Sequence, residues 1–596
     1  MPKSCRHGNP PSKPSARAFY LIKLTKRLFA ATALLMVLLI GMMARSSAPS
    51  NRNRNTRALT YQTTWVDLVL RPSPESFAYA YTTGHGSPRG RALSAEQLQA
   101  LPSGNRSLSV GGDRRLRLFM LADSPHIDLC KSIMSAVAAG YPAPILLNWG
   151  GEFNRPKWHL AGSHAAEVDS FLSVIQDLLA RAEGEDGDVH QDDLAVLVDA
   201  HDVWFQLPPS ALIQRYHQLN LEADARVHRQ WESAQGLAAG FPVAPPRQSI
   251  VTTMAKNCRP RSESRPPSRY GKGTDRVLAM PLQPARDYGA VKPRCLDNGM
   301  IMGTMGALRD ALTRAKAQAG AASHRGRRIF RDQALFGQVL ADQETWRDWM
   351  RGLGAAWNGT ASENDLSKLP RHVRRIAAAS MAGERFEYGI GLDYHFGTVP
   401  RAFSAHDDGA FVKINDKEAL KAESARAGVP HGQVRVDGVP RELAQADVGP
   451  KQLDDTVWGD VPLYTDLRSG VTPVGMHHHH DSKSRRLLRE SWTKMWFYPK
   501  LRNLIAQATL PMSATSTVRP LARVPADGGI GSRETRYWAP KSSLANKLVQ
   551  VFQPFSVHAT SGGSYGTMPW QGVCQVRGEK PWHREIFGDA KGPWQL

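Results

Sequence analysis

Two carboxylates three residues apart close a short apolar run in Leu194-Ala-Val-Leu-Val-Asp-Ala-His-Asp-Val-Trp-Phe-Gln206. Asp199 and Asp202 flank His201, and Pro208-Pro209 soon ends the segment. Leu194 to Val198 has the length and composition of a buried strand. In open α/β sheets ligands gather beyond the carboxyl ends of strands. Two carboxylates at such an end make a poor core but a good seat for a hard divalent cation. A solvated turn with the same Asp-x-x-Asp spacing would do no chemistry, so the surrounding elements decide between the two. A second chemical cluster lies far along the chain, where His477 to His480 run into Asp481 and Lys483. On its own that run reads as a compositionally biased polar loop.

The elements upstream alternate. Leu116–Ala122 reads as a strand, His126–Ala139 as a helix and Ala143–Leu147 as a strand. Ala165–Arg181 reads as an amphipathic helix: Val168, Phe171, Leu172, Ile175, Leu178 and Leu179 share a face, and Ser163 suits the N-cap. The result is a β-α-β-α-β succession whose third strand delivers the carboxylates.

With 596 residues the chain exceeds one typical domain, and its 41% hydrophobic content supports a substantial core. The net charge of +22 asks for an anionic partner. Its Arg and Lys are scattered with no basic helix interleaved with aromatics, which argues against nucleic acid. Five cysteines are too few for a disulfide scaffold. Cys130, Cys258, Cys295 and Cys574 permit two bridges in an oxidising compartment, without fixing the pairing. No Gly-x-Gly-x-x-Gly, Walker loop, Gly-x-Ser-x-Gly or His-Glu-x-x-His is present, which removes the commonest nucleotide, lipase and zinc-protease readings.

Residues 1–27 are polar and basic, and Leu28 to Ala44 follows without a charge, at the short end of the membrane-spanning range. The basic flank favours a cytosolic tail, a transmembrane signal anchor at 28–44 and a stem at 45–113, over a cleaved signal peptide. Asn105-Arg-Ser and Asn358-Gly-Thr are glycosylation sequons. Residues 220–275 and 400–455 read as irregular insertions, and 501–596 as a C-terminal tail.

The order of several short segments carries a family resemblance. Val198-Asp-Ala-His-Asp-Val203 resembles the metal-binding Asp-x-x-Asp element of GT-A-type glycosyltransferases. More narrowly, it is similar to the glycosyltransferase domain of procollagen-lysine-modifying enzymes and a group of fungal membrane-anchored relatives. Ile250 to Pro260 resembles that family's apolar strand and Lys-x-Cys-Trp-Pro turn, with Ala255 where an acid is usual and Arg259 in place of Trp. Pro293-Arg-Cys-Leu-Asp-Asn-Gly-Met-Ile-Met-Gly303 resembles its Leu-Asn-Ser-Gly segment, with Asp297-Asn298 for Asn-Ser. Arg331-Asp-Gln333, opening a helix through Leu340, resembles its Asp-Asp-Gln element, and Tyr388 to Tyr394 the acidic strand end that comes after it. The histidine run, with its lysine and the aromatic helix Trp492–Tyr498, resembles the terminal segment that supplies a third metal ligand.

The resemblance covers about residues 115–500. It implies a GT-A-like nucleotide-sugar-binding mixed sheet flanked by helices, behind an N-terminal transmembrane helix. It implies a type II protein of the Golgi or endoplasmic reticulum membrane that moves sugar from a nucleotide-diphosphate sugar to a protein or glycan acceptor with Mn²⁺ or another divalent cation. Asp202 and His477 or His478 would hold the metal, with Asp199 on the metal or the nucleotide ribose. Asp297, Asn298 and Gly299 would line the donor sugar, with Lys256 and Lys483 as fixed positive charges. Asp332 would orient the acceptor, act as base or simply cap its helix, and Asp393 would lie close by as a second candidate carboxylate. The rival readings are a metal-dependent phosphohydrolase on the same ligands and, given Ala255, Arg259 and Asp297, an inactive anchored binding protein.

Overall fold

The computed structural model describes residues 92–102, 111–154, 165–182, 189–232, 240–255, 295–324, 332–357, 361–362, 369–402, 409–430, 432–445, 447–478, 490–509, 518–525, 534–540, 549–553 and 564–593. The chain divides into Met1–Ser87 and Pro88–Leu596, and the described residues all fall in the second unit.

That unit contains the expected succession: β1 (Gly112–Leu121), α1 (Ile127–Ala138), β2 (Ile145–Leu147), α2 (Ala165–Ala182) and β3 (Leu194–Asp199). β1 lies between β2 and β3 and is parallel to both. Alternating side chains of the two longer strands feed two cores. Leu116, Leu118, Met120, Leu194, Val196 and Val198 pack with α1, while Phe119, Ala195 and Leu197 pack with α2. A strand buried on both faces needs a continuous apolar run. The Leu-Ala-Val-Leu-Val sequence of β3 supplies it.

The chain continues through β4 (Val203–Phe205), α3 (Pro209–Glu232), β5 (Ile250–Ala255), β6 (Cys295–Thr304), α4 (Met305–His324), α5 (Asp332–Ala355), α6 (Arg371–Met381) and β7 (Ile390–Leu392). β6 is antiparallel to β3 and to β5, and β7 is parallel to β5. Next come β8 (Arg401–Ala402), β9 (Gly409–Val412), α7 (Lys417–Arg426), β10 (Leu463–Asp466), β11 (Gly475–His478) and α8 (Leu501–Thr509). The last elements are β12 (Ala522–Pro525), β13 (Glu534–Trp538), β14 (Val549–Gln553), β15 (Ser564–Met568), α9 (Trp570–Cys574) and α10 (Trp582–Phe587). The main sheet runs β15-β14-β2-β1-β3-β6-β5-β7, with β13 joined to β1 and β12 to β13. The mixed sheet with helices on both faces matches the expected α/β class.

Several expectations are corrected. Among the described residues no helix is long and apolar enough to cross a membrane, so the described fold is a mixed α/β sheet with helices and has no membrane-spanning helix. The 28–44 run, most of the expected stem and both sequons lie outside the described residues. The end of the stem is folded: Ser94 caps a short helix, Ala95–Gln99, whose Leu98 is buried in a third core with Trp231 and Trp346. The 220–275 insertion begins inside α3, and the 400–455 insertion holds β9 and α7. Its dense Lys, Asp and Glu conceal Val412, Ile414 and Leu420, which are core residues. The aromatic helix ends at Trp492 and gives way to turns, the last a 3-10 turn at Tyr498–Lys500, leading to α8; its Trp492, Trp496 and Phe497 fill the core.

Residues after 500 are no appendage. β13 and β14 extend the main sheet through parallel pairing with β1 and β2. Trp570, Val573, Trp582 and Ile586 belong to the same core as α1, and a disulfide joins Cys130 of α1 to Cys574. Short strands with little alternation, pairing with β1 and β2 from the far end of the chain, leave no local pattern to read.

Candidate metal centre

β3 ends at Asp199, and the chain turns at once into β4. The Asp199 carboxylate accepts a hydrogen bond from the His201 N–H at 3.0 Å, an Asx turn that fixes the corner and leaves Asp202 one residue before β4. A separate three-stranded ribbon brings the distant histidines here. β11 lies between β4, to which it is antiparallel, and β8, to which it is parallel. In that register His477 faces Val203 on one side and Arg401 on the other. The His478 N–H donates to the Asp202 carbonyl at 2.6 Å and the His477 N–H to the Pro400 carbonyl at 2.9 Å. Gln206 clamps the incoming strands, donating to the Tyr464 and Pro473 carbonyls and accepting from the Tyr464 N–H.

One ligand atom each from Asp199, Asp202 and His477 lies within 4.8 Å of the others. These are two of the expected carboxylates and one of the two expected histidines. Two carboxylates and an imidazole form a donor set of intermediate hardness, which suits Mn²⁺ or a similar divalent ion. The cluster sits beside the point where the strand order reverses, β2-β1-β3, which is where open α/β sheets take their ligands. The loop after β2 borders the same end: Asn148, in the left-handed region at φ 62°, accepts from the Phe153 N–H and donates to Asn154. Asn154 donates to Asp123, just beyond β1.

His478 does not join the cluster. It is 1% exposed and packs edge-on to Trp204 at 4.3 Å between ring centroids. Burial, helped by the neighbouring His477 and Lys131, pushes its imidazole well below the usual histidine range, so it is neutral. Successive residues of a strand point to opposite faces, and only one of the pair can face Asp199 and Asp202.

Asp297 lies against His477 and Arg401. It is 1% exposed, and both of its oxygens are occupied. Oδ1 accepts from Arg401 Nε at 2.9 Å and Nη2 at 2.6 Å, and Oδ2 lies 2.9 Å from His477 Nδ1. Burial opposes its charge, but His477 and Arg401 outweigh that cost and hold the carboxyl well below the usual range. For His477 the balance has the opposite sign. Burial works against protonation, but Asp297 foremost, then Asp199, hold its pKa above the ordinary imidazole value.

Gly299 also faces the histidine. A Cβ there would lie 2.6 Å from His477 Nδ1, closer than any real contact. A bulge produces this approach: Thr252 pairs with Ile301 and Thr253 with Asp297, leaving residues 298–300 outside the β5 register. Thr253 Oγ1 bridges the bulge, donating to the Asp297 carbonyl and accepting from the Met300 N–H.

Asp393 is a buried turn post. It accepts from the N–H groups of His395, Gly397 and Thr398 and from the Thr398 hydroxyl. The segment it shapes then pairs with β11, through Val474 N–H to Gly397 and Gly475 N–H to Thr398. Its carboxylate braces the segment that pairs with β11. Asp332 opens α5, but its side chain, that of Asn298, and all of Lys256, Lys483, His479 and His480 lie outside the described residues. Sequence reading misses Arg401, Thr253 and Gln206. A lone Arg beside a Pro, or a Thr inside a strand, carries no local signal of a role.

Comparison of the chain with known protein families finds no matching family model, and a search of curated proteins finds no match.

Proposed function

We propose that this chain is a metal-dependent glycosyltransferase of the GT-A type, taking sugar from a nucleotide-diphosphate sugar to a protein or glycan acceptor. The observation that carries the reading is the convergence of Asp199, Asp202 and His477, from segments about 275 residues apart by their numbering, at the carboxyl end of a central parallel strand. The matching order of the other segments supports it. The Cys130–Cys574 bridge supports work in an oxidising compartment.

Asp199, Asp202 and His477 are the residues that would hold a divalent cation. Bound there, the ion supplies charge neutralisation for the departing diphosphate. The protein's part is placement. The Asx turn sets Asp199, and the β4–β11 pairing sets His477 against Asp202. The fixed corner keeps the ligands in position before substrate arrives, which is how such a site lowers its reorganisation cost.

A donor screen tests the proposal. The purified chain is incubated with Mn²⁺, each nucleotide sugar and mixed acceptors, and released nucleoside diphosphate is measured. At least one donor should give acceptor-stimulated, chelator-sensitive release. Release of inorganic phosphate, indifferent to acceptor, would favour the phosphohydrolase reading instead.

A further inference from the structure

We infer that Asp297 and Arg401 form a positioning pair that holds His477 with the proton on Nδ1 and turns Nε2 to the cation between Asp199 and Asp202; this rests on the metal-centre reading above. Three observations fit together. The Asp297 carboxylate is spent entirely on His477 and Arg401 and is sealed from solvent, so it serves no ligand directly. A carboxylate accepts and does not donate, so the hydrogen bond to Nδ1 requires the proton on that nitrogen and leaves Nε2 as the ring's lone pair. Gly299 removes the Cβ that would push the ring off this line.

Arg401 has its own task. It stands beside His477 in the β8–β11 register and grips one Asp297 oxygen through two nitrogens, a charge-assisted contact that anchors Oδ1 and leaves Oδ2 to His477. The three residues come from three strands, β6, β8 and β11, so the ring's orientation is set by the fold and not by one loop. Outer partners of this kind typically change metal affinity by about 10–100-fold when removed. Neither Asp297 nor Arg401 touches the ion. Both act through His477.

The test uses the full chain and Mn²⁺ alone, with binding read by the electron paramagnetic resonance of the free ion. Asp297→Asn should raise the Mn²⁺ Kd about 10–100-fold. The double variant Asp297→Asn with Arg401→Gln removes both charges of the pair, guards against misfolding from an unpaired Arg401, and should bind as weakly. Asp202→Ala separates the two ideas. If it binds Mn²⁺ like the wild type, the metal centre itself is wrong. If it weakens binding while both Asp297 variants keep wild-type affinity, the centre stands and the positioning pair is refuted. A second readout needs no Asp297 variant: nitrogen-15 spectra of the metal-free wild type at about pH 9, where imidazole is neutral. The signal missing in His477→Gln should show the Nδ1–H tautomer. An Nε2–H tautomer would overturn the inference.

Discussion

Metal binding should depend on pH in a way that follows from His477. In the metal-free protein its pKa lies above the ordinary 6.5, because Asp297 and Asp199 outweigh burial. A metal ligand must be neutral, so at a pH below that raised value each ion displaces about one proton. The sign follows directly: affinity is greatest above the folded-state pKa and falls as pH drops through it. Below about pH 6.5 the Kd should rise close to tenfold per unit, or about 1.4 kcal/mol. Asp297 adds nothing in this range, since its carboxyl titrates well below the usual values. Calorimetry of Mn²⁺ binding between about pH 5.5 and 8.5, in buffers of differing ionisation enthalpy, gives both Kd and protons released. The break should fall above pH 6.5, and His477→Gln should flatten the slope. A Kd indifferent to pH, or a break below 6.5, would refute the coupling between His477 and its carboxylates.

Gly299→Ala should leave the chain folded yet weaken Mn²⁺ binding, because its Cβ enters the space of His477 Nδ1; unchanged affinity with an unchanged structure would count against this packing. Asp393→Ala should cost about 3 kcal/mol in denaturant midpoint experiments, from the loss of charge-assisted hydrogen bonds to a buried turn. A variant of full stability with abolished turnover would instead restore a catalytic role to Asp393. Reducing Cys130–Cys574 should lower stability by about 2–5 kcal/mol and release the C-terminal helices from α1. Equal midpoints with and without reductant would show that the apolar contacts of Trp570 and Trp582 suffice.

The first half of the sheet is legible in the sequence because each element there carries its own period. The pattern places α1 over His126–Ala139, and the helix runs Ile127–Ala138 with His126 as its N-cap. The apolar run of β3 closes at Val198, and the strand ends at Asp199. Carboxylates at the end of an apolar run are a local signal, so Asp199 and Asp202 can be found in the sequence. His477 needs the order of segments as well, since nothing local tells it from His478. For Asp297 and Gly299 the sequence does not show their neighbour His477. Their spacing marks a close approach of backbone, but only the β5–β6 bulge shows that a histidine ring fills the space. The C-terminal strands escape a local reading because their partners are β1 and β2, far away in the chain.

The central claim is sugar transfer through the Asp199–Asp202–His477 cluster, and acceptor mass measures it most directly. With the donor found by screening, Mn²⁺ and acceptor, the wild type should add one sugar for each nucleoside diphosphate released. Asp202→Ala, folded to the same denaturant midpoint, should lose that transfer, with both products falling together. Nucleoside diphosphate or phosphate released without sugar on any acceptor, or wild-type transfer by Asp202→Ala across a manganese titration, would contradict the account.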